Sequence, residues 1–204
     1  MHGKQLYRSK SVISRRSTPA CRRASSTQAR IVGESASFPI AGPGTLPINF
    51  RWRKAGATFP NGIIVVTPTN SSLTITNARL TDAATYTVVT TNLAGAATPQ
   101  LSSNAYLVVV LPPANQVGAP GTNLLLRAVV GLPGSYTSRF FWLFNGNTLL
   151  AGTNTSAGSL LTFTNDLVLA NFSLAQSGTY TLLLTNNLGM PAAFTAVVEM
   201  DIDG

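Results

Sequence analysis

The side chains that could perform acid–base or nucleophilic chemistry are few and lie far apart in the sequence. The only histidine, His2, and the only cysteine, Cys21, both lie in the first 30 residues, away from the main body of the chain. No Ser–His or Cys–His arrangement can therefore form on that body. Asp82 and Asp166 are each the only carboxylate in the middle of a half of the chain, so neither half can pair two carboxylates for glycoside hydrolysis.

Glycine-rich phosphate-binding loops and Cys/His clusters with metal-ligand spacing are also absent from the sequence. We therefore predict that the protein is not an enzyme, and that it has no catalytic residues, no metal site and no cofactor.

Two small groups of charged residues have both a functional and a simpler interpretation. Arg51, Arg53 and Lys54 could bind an acidic partner, but a solvated strand face is the favoured explanation. Asp82 lies in a predicted turn, where its carboxylate could cap backbone N–H groups or pair with Arg79. The segment 201–204 reads Asp-Ile-Asp-Gly, which could begin a calcium-binding repeat, yet two carboxylates are too few for a complete site. A polar tail is the favoured interpretation.

The net charge of +8 comes from one end of the chain. Residues 1–30 contain eight Lys and Arg and no Asp or Glu, whereas the remainder has six of each sign and is neutral. With few apolar side chains to offset the entropy of ordering, we predict that residues 1–30 form a disordered basic arm. An arm of this kind could bind nucleic acid or an anionic surface. Nucleic acid is disfavoured because Tyr7 is the only aromatic residue there for base stacking.

The elements that would position any site belong to a repeated motif. Residues 73–95 and 167–189 match at a constant offset of 94 residues, which is roughly the size of one small sandwich domain. Within each copy, apolar residues alternate with polar ones, as in half-buried β-strands. Short runs rich in Val, Ile, Thr and aromatic residues, bounded by Gly, Pro and Asn, predict an all-β protein.

The remaining strands occur in the same order in both copies. Trp52 lies on an early strand of the first copy, and Trp142 occupies the corresponding place in the second. Tight turns are predicted at 61–62 and, more strongly, at 145–146, both of which read Asn-Gly. The first copy should end with a strand at 105–111 and the second with one at 192–200. Pro112 and Pro113 should form a stiff linker through which the sheet cannot continue.

The motif L-x-I-x-N-x-x-x-x-D-x-x-x-Y-x-V-x-x-x-N-x-x-G, preceded by a tryptophan on an earlier strand, resembles the immunoglobulin fold of the intermediate-set type. The resemblance implies two tandem immunoglobulin-like Greek-key β-sandwiches at 31–111 and 114–200. It also implies that Tyr86 and Tyr180 form tyrosine corners, their hydroxyls reaching back toward Asp82 and Gln176. Disulfide-free tandem repeats of this kind resemble modules of large bacterial surface and secreted proteins.

The positions at which the family has its two cysteines are aliphatic here: Ile40 and Val88 in the first copy, and Ala128 and Leu182 in the second. A disulfide typically contributes about 2–4 kcal/mol. Burial of a Val, Leu or Ile side chain contributes roughly 1.5–3 kcal/mol, so aliphatic packing replaces much of the bridge. The predicted core residues are Ile40, Trp52, Leu73, Ile75, Tyr86, Val88, Ala128, Trp142, Leu167, Leu169, Tyr180 and Leu182.

Three functions remain open at this point. The favoured one is a non-catalytic spacer, adhesion or protein-binding module of a cell-surface or secreted protein, with an unidentified protein or glycan partner. The alternatives are an accessory domain pair of a larger enzyme and a binding protein that uses the basic arm. The longest apolar runs are too short to predict a membrane span, no signal peptide is visible, and the oligomeric state is not predicted.

Overall fold

The computed structural model describes residues 27–42, 44–60, 62–92, 99–157, 160–185 and 192–201, and these form two β-sandwiches. The first sandwich packs a sheet built on β3, β7 and β9 against a three-stranded sheet of order β2-β6-β5. Its strands are β1 (Gln28–Ile31), β2 (Ala36–Ala41), β3 (Ile48–Lys54), β4 (Ala57–Thr58), β5 (Ile63–Val66), β6 (Asn70–Ile75), β7 (Ala84–Asn92), β8 (Gln100–Leu101) and β9 (Ala105–Leu111). A 3₁₀ turn, Leu80–Asp82, precedes β7.

The second sandwich packs a five-stranded sheet of order β10-β16-β15-β12-β13 against the β11–β14 pair. Its strands are β10 (Gln116–Gly118), β11 (Leu124–Pro133), β12 (Thr137–Phe144), β13 (Asn147–Thr155), β14 (Leu160–Leu169), β15 (Gly178–Thr185) and β16 (Ala192–Met200). A second 3₁₀ turn, Leu174–Gln176, precedes β15. The prediction of an all-β tandem sandwich is therefore confirmed, and β9 and β16 have the predicted bounds.

Each sandwich has its own hydrophobic core. Trp52 lies at the centre of the first core, where it is 1% exposed, and Trp142 at the centre of the second, where it is fully buried. The four aliphatic residues at the family's cysteine positions pack in these cores. Of the twelve predicted core residues, the structure buries all except Leu167, which is partly buried against the second core.

Strand β9 belongs to both sandwiches. Its residues Ala105, Leu107 and Val109 pack in the first core, while Val108 and Val110 pack in the second. Along one edge, β9 pairs first with β7 and then with β11, where Val109, Val110 and Leu111 lie opposite Gly131, Val130 and Val129. Strand β9 is therefore the third strand of the smaller sheet of the second sandwich.

The prolines end the strand, but they do not keep the two sandwiches in separate sheets. Strand β9 ends at Leu111, directly before Pro112 and Pro113. Because its first residues pair with β7 and its last with β11, strands of both sandwiches belong to one eight-stranded sheet. Prolines interrupt pairing only along their own strand, so they do not prevent the preceding residues from pairing with a later strand.

Two further predictions need correction. Residues 28–30, expected to belong to the disordered arm, lie in β1, whose backbone pairs in parallel with residues 107–110 of β9. The rest of the arm, residues 1–26, lies outside the described residues. In the first sandwich the two-residue hairpin turn is Ala55–Gly56, with φ of 48° and 82°, and not the predicted Asn-Gly turn at 61–62. Asn61 lies outside the described residues, and β4 and β5 on either side of it belong to different sheets.

The strong hairpin signal of the second copy is confirmed. Asn145 and Gly146 have φ of 46° and 85° and connect β12 directly to β13. After this hairpin the two sandwiches differ. In the first, the chain crosses to β5 in the smaller sheet, whereas in the second β13 continues to Thr155 in the larger sheet. No described strand of the second sandwich occupies the place that β5 has in the first.

Candidate binding surface

The conserved geometry of the two repeats explains Asp82 and both corner tyrosines without any chemistry. The Tyr86 hydroxyl donates to the carbonyl of Asp82 at 2.8 Å, and the Tyr180 hydroxyl donates to the carbonyl of Gln176 at 2.8 Å. The Asp82 carboxylate accepts the backbone N–H of Arg79 at 3.0 Å, and the Gln176 amide oxygen accepts that of Ser173 at 2.9 Å. A neutral amide performs the same task as the carboxylate, so these residues build the fold.

Burial explains the electrostatics of these corners. It raises the pKa of Tyr86 above the usual tyrosine range, with a smaller contribution from the negative charge of Asp82. Burial also raises the pKa of Tyr180. Both phenols therefore stay protonated as hydrogen-bond donors, and neither is poised for acid–base work at neutral pH.

The predicted basic group of three residues is divided between two faces of β3. Lys54 lies on the same side as Trp52, and its ammonium pairs with Asp82 at 3.2 Å and donates to the carbonyl of Thr81 at 2.8 Å. Lys54 is thus part of the tyrosine corner, and its charge is neutralised there. Arg51 and Arg53 lie on the opposite face, because successive side chains of a strand alternate.

The two arginines stand on the outer face of the larger sheet of the first sandwich. Arg51 is opposite Val89 of β7, and Arg53 is opposite Thr87. Beyond β7, Leu101 of the short strand β8 lies opposite Val89 and is 58% exposed. This outer face, which we call the arginine face, therefore combines two positive charges with an exposed aliphatic side chain.

Arg53 lines two clefts that flank this face. One cleft, of about 340 Å³, also contains Arg51 and the exposed side chain of Leu101. The other, of about 400 Å³, is closed on its far side by Gly134 and Ser135 of the turn between β11 and β12. The second cleft lies between the two sandwiches, and its position depends on the pairing of β9 with β11.

Neither arginine of the face has a carboxylate partner among the described residues. The two ion pairs among the described residues are Lys54 with Asp82 and Arg127 with Asp166. The Arg53 side chain is half-buried, and its Nε atom is fully covered yet has no hydrogen-bond acceptor in the described part of the chain. A ligand cannot reach the covered Nε atom itself, but a carboxylate from outside can approach the terminal guanidinium nitrogens of this half-buried side chain.

Sequence reasoning found the two arginines but could not find the cleft. The alternation of residues 48–52 predicts that Arg51 and Arg53 share a face. The approach of Ser135, about 80 residues later, follows from the shared strand β9. One signal of that sharing is visible in retrospect: residues 107–111 form a continuous aliphatic run, which is typical of a strand buried on both faces.

The described residues contain no group of three or more His, Cys, Asp or Glu side chains placed to hold a metal ion. They also include no helix with the length and apolarity needed to cross a membrane.

The family comparison agrees with this geometry. Residues 19–102 match the model of the immunoglobulin I-set domain. The first sandwich is similar to the immunoglobulin I-set family. The second sandwich has the same immunoglobulin-like fold, with its own tyrosine corner and core tryptophan. None of the curated proteins compared with the chain matches it significantly.

Solved structures with similar folds are also tandem immunoglobulin domains. The titin I-band fragment I67–I69 is 22% identical with a TM-score of 0.43, over 90% of this chain and 66% of that one. Titin domains A164–A165 are 17% identical with a TM-score of 0.43, over 90% and 98% of the two chains. The tandem repeats of Dlar are 22% identical with a TM-score of 0.41, over 90% and 99%. Similarities of this size carry no argument about function.

Proposed function

We propose that the chain is a non-catalytic protein-binding module, in which the cleft at Arg53 receives an acidic side chain of a partner protein. The carrying observation is that the half-buried Arg53 lines both clefts and forms no ion pair among the described residues. The wider role is that of a spacer or adhesion module that presents this cleft on a stiff pair of immunoglobulin-like domains. Its place on a cell surface or in a secreted protein rests on the family resemblance.

The chemistry of arginine favours a carboxylate as the ligand group. A guanidinium offers five N–H donors in a planar fork and forms paired hydrogen bonds with a carboxylate. Because Arg53 is already half-buried, part of its desolvation cost is incurred before the partner arrives. Arg51, two residues away on the same face, adds a second positive charge that favours approach of an acidic segment.

The apolar parts of the clefts favour a peptide over a sugar. Leu101 and Val89 lie beside the two arginines and can contact an aliphatic residue next to the acidic one. Thr87 and Asn104 offer polar groups in the cleft between the sandwiches. An acidic residue flanked by aliphatic residues therefore matches the surface.

The domain pair itself favours presentation of a fixed surface. A flexible linker would let Ser135 move away from Arg53, whereas strand β9 is hydrogen-bonded to both sandwiches. A site between domains that needs no closure binds with less loss of conformational freedom. None of the described residues favours the accessory role in a larger enzyme or the binding role of the basic arm.

The test is an NMR titration of the full chain at low salt with the peptide acetyl-Leu-Glu-Leu-amide. We expect shifts of the Arg53 Nε–Hε resonance and of backbone amides near Leu101 and Ser135. Arg53→Gln should weaken binding at least about tenfold, the loss expected for one charged hydrogen-bonded contact.

The control is Arg139→Gln, because Arg139 is an exposed arginine of the second sandwich without an ion pair. It should bind the peptide as the unaltered chain does. Equal weakening by both substitutions would show non-specific attraction and would refute the proposal. A heparin-derived hexasaccharide that binds at Arg53 while the peptide does not would also refute it, in favour of an anionic glycan.

A further inference from the structure

Strand β5 is an open edge with unusual composition. Its four residues, Ile63, Ile64, Val65 and Val66, are 36–56% exposed. Within the described residues its only pairing is with β6, so its other edge is unpaired. An unpaired, exposed edge of β-branched residues is a template for an added strand.

Both faces of β5 are accessible. Ile64 and Val66 lie opposite Leu73 and Ser71 of β6, which are buried and point into the sandwich. They nevertheless remain 36% and 53% exposed. Ile63 and Val65 lie on the outer face, opposite Thr74 and Ser72.

Strand β5 is short, but it lacks the charged side chains that commonly protect an edge strand. Natural edges carry charged side chains, especially lysine, that prevent pairing with another copy. No charged residue occurs between Lys54 and Arg79, a stretch that includes β5 and β6. By contrast, β14 at the edge of the second sandwich carries Asp166, which pairs with Arg127.

We propose that β5 pairs with β5 of a second copy of this chain, in an antiparallel arrangement with two-fold symmetry. The two three-stranded sheets then form one continuous six-stranded sheet. This self-association uses the smaller sheet and is independent of the arginine face, which lies on the other sheet. Failure of one proposal therefore leaves the other intact.

Two-fold symmetry requires that the residue nearest the axis can pack against the same residue of the second copy. In an antiparallel pair, opposite residues lie on the same face. The two-fold axis is perpendicular to the sheet, and the residue nearest to it lies opposite the same residue of the second copy. For a four-residue strand this residue is either Ile64 or Val65. Both are β-branched and uncharged, so either register gives favourable cross-strand contacts, whereas a charged residue at the axis would repel its own copy.

The pairing also covers apolar surface. In the dimer, Ile64 and Val66 of one copy would cover part of the apolar surface of Ile64 and Val66 of the other. No described residue covers this surface fully in the single chain. Four residues make a small interface, below the size typical of stable dimers, so we expect weak association. Several copies displayed close together would bind more strongly through multivalency.

The experiment is sedimentation velocity of the full chain over a roughly hundredfold concentration range, with Cys21→Ser in all samples to exclude disulfides through that residue. We expect a monomer–dimer equilibrium. Val65→Lys should raise the dissociation constant at least about tenfold, because two ammonium groups would meet near the axis. Val168→Lys is the matched control, since Val168 is 60% exposed on the edge strand β14.

A cross-linking measurement fixes the register. In the Cys21→Ser background, Ile64→Cys or Val65→Cys should form a disulfide-linked dimer on mild oxidation, and Val168→Cys should not. The proposal is overturned if the chain stays monomeric at every concentration, or if Val65→Lys and Val168→Lys have the same effect. Cross-linking at 168 that equals that at 64 and 65 would overturn it as well.

Discussion

Val108 and Val109 are adjacent in the chain, but their side chains pack in different hydrophobic cores. Val109 lies in the core around Trp52, and Val108 lies in the core around Trp142. Side chains of a strand alternate between its two faces, so a strand can serve two cores when both faces are covered. Strand β9 is such a strand. The two domains consequently share secondary structure, and no spacer separates them.

Shared packing predicts coupled unfolding. We expect Val108→Ala to lower the free energy of unfolding by about 1.5–3 kcal/mol, the cost of losing most of a buried valine. Each sandwich has a single tryptophan, so Trp142→Phe and Trp52→Phe variants report the first and second sandwich separately by fluorescence. In urea, both reporters should show the transition shifted by the same amount.

The control for this experiment is Val197→Ala, because Val197 is 38% exposed on the outer face of β16. It should change stability by less than about 0.5 kcal/mol. If Val108→Ala left the transition reported by Trp142 unchanged, the side chain of Val108 would not belong to the second core.

Gly131 of the second sandwich packs closely against the Leu80–Asp82 turn of the first. A Cβ atom at this position would lie 2.7 Å from the carbonyl oxygen of Leu80 and 3.0 Å from the Cβ of Ala83. Backbone cannot move aside as a side chain can, so Gly131→Ala should destabilise the protein by about 1–3 kcal/mol through overpacking.

Gly118→Ala is the comparison for Gly131→Ala, because a Cβ at Gly118 would meet only the side chain of Leu124. Urea denaturation should show the smaller loss for Gly118→Ala. The reverse order would indicate that the contact between β11 and the Leu80–Asp82 turn is loose.

The sequence contains most of the information about each sandwich taken alone. The strand bounds at 105–111 and 192–200 and the Asn-Gly hairpin at 145–146 are predictable from sequence, because they depend on local residue preferences. The turn at Ala55–Gly56 was missed because alanine at positive φ is uncommon and gives no signal. Here the pairing of β3 with β4 overrides the local preference.

Relations between the sandwiches were harder to predict. Pro112 and Pro113 indicated correctly where β9 ends, but not that its last residues pair with β11. Alternation along β3 predicts that Arg51 and Arg53 of the candidate site share a face. It does not predict the second wall of the cleft, which Ser135 forms. Lys54 was grouped with them by proximity in sequence, although its partner Asp82 lies 28 residues away.

The two core tryptophans differ in their hydrogen bonding. The Trp52 Nε1 donates to the Ser71 hydroxyl at 3.0 Å, whereas Trp142 Nε1 is buried without an acceptor among the described residues. Ser71→Ala should therefore cost about 1–3 kcal/mol, because it leaves the Trp52 indole N–H unsatisfied. Trp52→Ala should cost about 3–5 kcal/mol through the cavity it creates.

Replacement by phenylalanine separates these two contributions. Trp52→Phe loses a hydrogen bond as well as volume, while Trp142→Phe loses volume and removes an unsatisfied donor. Calorimetry should therefore show a smaller loss of stability for Trp142→Phe. A cost of Trp52→Ala below roughly 1 kcal/mol would contradict the central place of Trp52 in the first core.

The tyrosine corner predicts a specific dependence of stability on pH. Tyr86 keeps its proton in the folded state because burial, and to a smaller extent Asp82, raise its pKa, whereas in the unfolded chain it ionises near the usual value of about 10. Above that pH the unfolded state binds fewer protons than the folded state, so stability falls as pH rises. Each such tyrosine contributes a slope of up to about 1.4 kcal/mol per pH unit.

Tyr86→Phe removes both the hydrogen bond to the Asp82 carbonyl and this alkaline sensitivity. At pH 7 we expect the variant to be less stable by about 0.5–1.5 kcal/mol, the net worth of one hydrogen bond. Above about pH 10 the difference should shrink and then reverse, because only the unaltered protein retains this phenol. Urea denaturation of both proteins from neutral to alkaline pH measures the difference directly. A constant difference across that range would mean that Tyr86 ionises in the folded protein as readily as in the unfolded chain.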